Sequence, residues 1–445
     1  MKKLKIVVLV LVLGAGTLIY INYPKLNLIS GYAAKNMASG VFLAQRNADS
    51  ITDHDHDMDL INLAETKVDE SQKRAVASVK GLMERTAVFK EGLGAVLTNA
   101  EYQAHAFEAV PQRAFAKDTL PFPFGHQGVE DTVFASVDYP KLQRAMDEAF
   151  ARPDVQKTRT ALVVYKNHII AEKYAPGFGP ETPVLGWSMT KSVLATLYGI
   201  LQYQGALDLQ ERPFGSTQDT DSLKGKITFD HLLRMQSGLA WEEDYFKISD
   251  VTQMLFLASD MSIAQRNNPV IAPPTEVWNY SSGTSNLLSG LLRERFENHQ
   301  DYLNFPYEAL IDKIGMHSMV METDLVGNFV GSSYAWANTR DWAKFGLLYL
   351  HGGLWNGERL FAEDWVDYIA TTTAHSNGTY GAHFWLNAEG KYPDVPKDLF
   401  SANGFQGQYV FVIPSKELVV VRTGLAEDPD FDVNAFLAGV VAALP

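Results

Sequence analysis

The 445-residue sequence predicts a mixed α/β (α+β) fold in which one sheet is assembled from both ends of a long segment around a helical insertion. Five stretches carry this expectation. TALVVYKNHIIAEKYA (160–175) consists of two β-branched runs joined at Lys166-Asn167, the pattern of a hairpin. SVLATLYGILQYQGALDL (192–209) has the apolar spacing of a helix. GQYVFVIP and ELVVVRTG, parted by Ser415-Lys416, read as two further strands, and FDVNAFLAGVVAAL closes the chain as a helix.

Ahead of this unit lie two other segments. MKKLK precedes an uncharged stretch, Ile6 to Pro24, which as a helix is about 28 Å long at roughly 1.5 Å per residue, close to a bilayer core. A basic flank before an apolar run fits a signal or signal anchor over residues 1–24. No clean small-x-small cleavage site precedes Asn22, which favours an uncleaved anchor over a removed signal. The expected location is a bacterial cell envelope, with the body anchored at the inner membrane and facing outward, or secreted if the signal is cleaved. Residues 25–130 form an N-terminal extension with strand-like pieces, GVFLA (40–44) and RTAVFKEGLGAVLTN (85–99). Its run of Asp53, His54, Asp55, His56, Asp57 and Asp59 could attract a divalent cation, but consecutive positions of a regular element cannot all converge on one ion, and the run reads as a solvated loop. Residues 131–445 then make one two-lobed unit.

Composition narrows the chemistry. With 46% hydrophobic residues the chain can offset the entropy of ordering a core, which excludes disorder as its main state. A balance of 38 Lys+Arg against 52 Asp+Glu, net −14, repels nucleic acid on average. The absence of cysteine excludes disulfides, a thiol nucleophile, thiolate zinc sites and a lipidated cysteine, so a covalent mechanism needs a hydroxyl. Neither a metal nor an organic cofactor is expected.

Within GWSMTKSVLATLYGIL, Ser188 and Lys191 are three residues apart at the start of an amphipathic helix, which stacks their side chains about 5–6 Å apart at Cβ. A serine hydroxyl becomes nucleophilic when a nearby amine of lowered pKa takes its proton. The helix N-terminus adds a positive field where an oxyanion forms. Tyr280, just before a Ser/Gly turn and a helix, offers a hydroxyl for proton relay. The rival Gly-x-Ser-x-Gly elbow is missing at 186–190, none of the eleven histidines lies in a recognisable pattern, and His351-Gly352-Gly353 reads as a turn after a helix.

Together, Ser188-Met189-Thr190-Lys191 and Tyr280-Ser281-Ser282 resemble two motifs of the serine β-lactamase and penicillin-recognising superfamily, in the class C-like branch that includes esterases, D-amino-acid peptidases and 6-aminohexanoate-dimer hydrolases. LLRMQSGLAWEEDY (232–245) and NTRDWAKFGLLYLHGGLWNGERL (338–360) resemble that superfamily's connecting segments, and the likeness covers roughly 131–445. It implies an antiparallel sheet flanked by helices, an inserted helical lobe, and an acyl-enzyme at Ser188 with Lys191 and Tyr280 exchanging the proton. The third motif should begin the strand ending at Pro414, with its glycine at Gly404, so that the N–H groups of Ser188 and Phe405 form the oxyanion hole. A register shifted toward Gly407-Gln408 is the alternative, and Arg422-Thr423-Gly424 is a decoy at a strand end.

Two departures from the pattern matter. No Lys or His stands at 402 to meet a substrate carboxylate, and Ser282 replaces the family's Asn. Both point away from penicillin turnover toward small neutral amides or esters. GFQGQ and WEEDY look most like the aminohexanoate-oligomer hydrolases, which makes Tyr245 a candidate contact to the scissile amide. Trp187 and Trp385 are pocket walls or core aromatics. The alternatives are a β-lactamase or DD-peptidase on cell-wall substrates, and a non-catalytic envelope binding protein.

Overall fold

The computed structural model describes residues 2–102, 108–115, 120–125, 128, 132–215 and 222–445, with the backbone alone for 2–13, 15 and 18–21. Helix α1 (Lys2–Phe42) contains Pro24 and runs past the expected end of the anchor without a break. Among the described residues no helix is long and apolar enough to cross a membrane. Most side chains of the 1–24 anchor, and the 130/131 boundary, lie outside the described residues.

Four strands follow α1: β1 (Ala64–Asp69), β2 (Arg74–Val79), β3 (Leu82–Lys90) and β4 (Gly94–Leu97), in that order as an antiparallel sheet. GVFLA, expected as a strand, instead ends α1 and the turn after it. Tertiary packing overrides the strand propensity of Val41 and Phe42. Ala33, Ala34, Met37 and Ala38 form a small-residue stripe at helical spacing, packed on Ala75, Ala77, Ala87 and Ala95 of the sheet.

The acidic, His-containing run is also corrected in part. Asp55 and His56 are buried, not solvated. The Asp55 carboxylate takes both Arg46 nitrogens at 2.9 and 2.8 Å and also pairs with Arg159, a geometry that holds it down to a pKa of about 2 against the cost of burial. Among the described residues no group of three or more His, Asp or Glu is arranged to hold a metal ion.

The larger body contains α2 (Tyr139–Glu148), β5 (Thr158–Tyr165), β6 (His168–Tyr174), α3 (Met189–Tyr203), α4 (Asp250–Leu257), α5 (Ser282–Arg293), α6 (Thr339–Leu350), β7 (Trp385–Leu386), β8 (Phe400–Gly404), β9 (Gln408–Ile413), β10 (Leu418–Gly424) and α7 (Val433–Val441). One antiparallel sheet runs β7-β8-β9-β10-β5-β6, so the first and last strands of the body pair, with Val163 opposite Val420. The β5–β6 hairpin turns on Lys166 and Asn167, both at positive φ (48° and 68°), the two-residue turn whose twist suits a hairpin.

Both faces of the sheet are covered, which is why its strands read as continuous apolar runs. Leu162, Val164, Val419 and Val421 face the core shared with α3 and α6. The alternate residues Val163, Tyr165, Leu418 and Val420 face the core built with α2 and α7. The helix expected to reach 209 stops at Tyr203.

One carboxylate joins the N-terminal segment to this body. Glu322 accepts from Lys35 of α1, from Ser39 Oγ at 2.8 Å, from the Ala95 N–H of β4 at 2.7 Å and from Trp336 Nε1 at 2.9 Å. Burial pulls the Lys35 ammonium below its usual pKa, and the Glu322 charge opposes that fall. Removing Lys35 leaves a buried carboxylate without its counter-charge. Lys35→Met should therefore cost about 3–5 kcal/mol in chemical denaturation, with most of it recovered in Lys35→Met/Glu322→Gln. A loss below about 1 kcal/mol would show that the pair does not join the two parts.

Candidate active site

Ser188 stands at the entrance of α3, after the two-residue strand Val184–Leu185, which pairs with Ala335–Ala337. The turn between them is pinned from several sides. The Gly186 N–H donates to the Ala335 carbonyl at 2.8 Å, Thr190 Oγ1 donates to the Trp187 carbonyl at 2.7 Å, and the Ala335 N–H donates to Thr190 Oγ1 at 3.0 Å. Trp187 sits at φ +47°, an unusual conformation for a bulky residue, stored immediately before the nucleophile candidate.

One turn into α3, Lys191 is buried. Its ammonium donates to Ser188 Oγ at 2.9 Å, Ser282 Oγ at 3.0 Å and the Ser332 carbonyl at 3.0 Å. These direct partners are neutral, so desolvation dominates and lowers its pKa to about 8, with the Glu243 charge pulling the other way. Tyr280 faces the Ser188 side chain, which holds its phenol down slightly, and the Lys191 nitrogen lies 4.9 Å from the centre of its ring. Burial first, and the Glu243 charge second, raise the Tyr280 pKa, so its phenol is neutral in the resting site. Ser188, Lys191 and Tyr280, drawn from positions 188 to 280, are therefore brought together in one cluster.

Glu243 is the residue that sequence reasoning missed. Its carboxylate accepts from Ser282 Oγ, from the Ser282 N–H at 2.8 Å and from the Trp241 indole N–H. The Ser282 hydroxyl thus accepts from Lys191 and donates to Glu243, which sets the carboxylate one hydroxyl away from the amine. The available signal was the Ser282 departure itself: a shorter side chain in place of Asn leaves room for a partner from WEEDY. Tyr245, two residues on, directs its hydroxyl to Glu243 at 3.4 Å and stacks on Phe405 with centroids 5.0 Å apart.

Gly404 closes β8, opposite Gln408, and the strand ending at Ile413 begins only at Gln408. The third motif therefore ends one strand and does not begin the next, because Gln406 and Gly407, at φ 63° and 81°, turn the chain between them. A Cβ on Gly404 would lie 2.0 Å from the Gly186 carbonyl oxygen, so this strand end abuts the turn that carries Ser188. That contact favours the Gly404–Phe405 register for the second oxyanion donor. Arg422 braces this turn from the neighbouring strand, donating to the carbonyls of Gly407, Ala426 and Gln156, as a buried structural cation.

The two tryptophans separate. Trp187 is 5% exposed, sandwiched between Tyr32 of α1 (6.1 Å) and the edge of Phe405 (5.6 Å), so it supports the site from behind and is not an open wall. Trp385, half-buried, packs on Tyr280 at 5.3 Å and flanks the phenol. A histidine base is also accounted for. His383 binds the Leu233 carbonyl through Nδ1 at 2.6 Å and Ser285 Oγ through Nε2 at 3.0 Å, and burial lowers its pKa to about 3. Both of its nitrogens are already used. Gly404→Ala should lower kcat/KM by about 100-fold or more with the fold retained, since displacing the strand end by an ångström misplaces the reacting carbonyl. Unchanged kinetics would rule out this strand end as part of the site.

Comparison with known proteins agrees with this architecture. The family model described as Beta-lactamase matches residues 142–442. The 6-aminohexanoate-dimer hydrolase of Paenarthrobacter ureafaciens is 22% identical over 319 residues, covering 65% of this chain and 76% of that protein. The structure of a family VIII carboxylesterase superposes with a TM-score of 0.55 at 15% identity, covering 71% of this chain and 100% of the other. A D-stereospecific amidohydrolase from Streptomyces sp. gives a TM-score of 0.51 at 15% identity, covering 69% and 100%. With more than half its length matched by the family model, the chain belongs to the Beta-lactamase family and is a serine hydrolase of that family.

Proposed function

We propose that this enzyme hydrolyses small neutral amides or esters through an acyl-enzyme on Ser188. The observation that carries the reading is the convergence of Ser188, Lys191 and Tyr280 beside a strand end where buried Ala402, not a cation, precedes the oxyanion turn. Likeness to a 6-aminohexanoate-dimer hydrolase and to a carboxylesterase supports the same bond classes.

In the forward step Ser188 Oγ bonds to the carbonyl carbon and its proton passes to the neutral amine of Lys191. The Ser188 and Phe405 N–H groups hold the oxyanion. Tyr280 donates its phenolic proton to the leaving nitrogen or oxygen as the acyl bond breaks, and Lys191 restores it. Water attacks the acyl-enzyme with the same groups acting in reverse order. Ser282 and Glu243 fix the amine and temper its loss of charge. Tyr245, beside Glu243 and Phe405, and Trp385, beside Tyr280, are the aromatic side chains offered to the substrate. The apolar run Ile6–Pro24, continuous in one helix with the buried half of α1, supports a body held at a membrane surface in the cell envelope.

Ser188→Ala should abolish labelling by a fluorophosphonate probe and lower kcat/KM by about 10³-fold or more, and a fluorescent penicillin should label the unmodified enzyme weakly or not at all. Labelling that survives the change would sink the assignment of Ser188. Efficient penicillin capture would redirect it to β-lactam or cell-wall peptide substrates.

Because Lys191 must be neutral to accept the proton, kcat/KM should rise with pH through an inflection near 8. Glu243→Gln removes the charge that keeps the amine protonated, so the inflection should move to lower pH. An inflection that stays in place or moves up would overturn the coupling of Glu243 to Lys191.

A further inference from the structure

A cavity of about 510 Å³ lies between α1 and the Tyr245–Ile248 loop, within the range of small-molecule sites. Leu28, Tyr32, Ile61, Tyr245, Phe256 and Phe405 contribute to its walls. Its charged members do not reach the deep end: Asp59 and Lys247 are exposed and Lys25 is half-buried, whereas Ile29, Tyr32 and Phe256 are buried. Beside these charges the mouth also presents apolar groups. Phe246 is 77% exposed, Leu60 48% and Leu63 45%, three large hydrophobic side chains presented together to solvent.

Two walls of this cavity belong to the active site. Phe405 carries the backbone N–H assigned to the oxyanion, and Tyr245 stacks on its ring while its hydroxyl reaches Glu243. A carbonyl held at the Phe405 N–H has one of its substituents beside the Phe405 side chain, and the space beyond that ring pair is the cavity. No charged group waits at the deep end to meet a second polar terminus. The segment Lys25–Tyr32 that lines it continues directly from the apolar stretch ending at Pro24.

We infer that this cavity binds the unbranched hydrocarbon chain of an acyl ester or amide whose carbonyl is presented to Ser188, a reading that rests on the hydrolase function proposed above. The N-terminal extension, outside the 142–442 family match, thereby sets substrate class: α1 and the Met58–Leu63 segment supply one side of the chain site, and the catalytic body supplies the other. The hydrocarbon comes either from a bilayer lipid or from a dissolved amphiphile.

The test uses the full chain and p-nitrophenyl esters from acetate to dodecanoate, each below its aggregation limit. kcat/KM should climb by about fourfold per added methylene until the cavity is full. Leu28→Trp and Ile61→Trp, each shown folded by its thermal melt, should lower the decanoate-to-acetate ratio by about tenfold or more. In parallel, Ser188→Ala should bind dansyl-undecanoic acid, and Ser188→Ala/Leu28→Trp should not.

A chain-length profile that is flat or falling, or a ratio unchanged in both tryptophan variants, overturns the cavity assignment. Probe binding without turnover of any ester overturns the hydrolase reading and leaves the cavity assignment standing. Hydrolysis of a decanoyl ester embedded in phosphatidylcholine vesicles assigns the chain to a bilayer source, and hydrolysis confined to solution assigns it to a free amphiphile.

Discussion

A buried lysine whose direct partners carry no charge is the constraint around which the site is organised. Desolvation alone would strip the proton from Lys191, and a carboxylate in direct contact would lock it on. The protein takes a middle course. Two hydroxyls and one carbonyl receive the three N–H groups, and Glu243 acts from one hydroxyl further away. The same amine keeps Ser188 in place and lies against the Tyr280 ring, so holding the proposed base and positioning the proposed nucleophile are a single geometric problem.

That geometry depends on elements far apart in the chain. The Ser188 turn is pinned to Ala335, Gly404 presses against Gly186, and Trp187 in its left-handed conformation is clamped between Tyr32 and Phe405. Tyr32 comes from α1, so the N-terminal segment reaches the back of the nucleophile turn as well as lining the cavity beside it. Glu322 secures this arrangement by drawing α1, β4 and the body onto one carboxylate. The extension is therefore part of the working structure around the active site.

Much of the catalytic body was legible in the residue order. The Lys166-Asn167 turn, the paired apolar runs of β9 and β10 and the closing helix are local signals, and local signals survive folding when the global packing agrees with them. Ser188 with Lys191 was legible because three residues on a helix is a fixed distance. Other features were not. GVFLA carries strand-forming residues, yet its fate depended on an alanine stripe meeting a sheet that begins only at Ala64. Asp55 looked solvated until Arg46 and Arg159 converged on it. Glu243 was hidden because nothing in WEEDY distinguishes a carboxylate facing Ser282 from one facing water.

The sequence by itself determined the proposed hydroxyl nucleophile and its neighbouring amine. A chain without cysteine leaves hydroxyl chemistry, and the Ser-x-x-Lys spacing stacks the two groups on one helical face whatever surrounds them. Tertiary structure decided how that pair is tuned and what stands beside it: the burial that lowers Lys191, the Ser282–Glu243 relay, the register of Gly404 and Phe405, and the apolar cavity walled by α1. Those properties arise from groups tens to hundreds of residues apart, and desolvation and long-range contact acquire values only once the chain has closed around them.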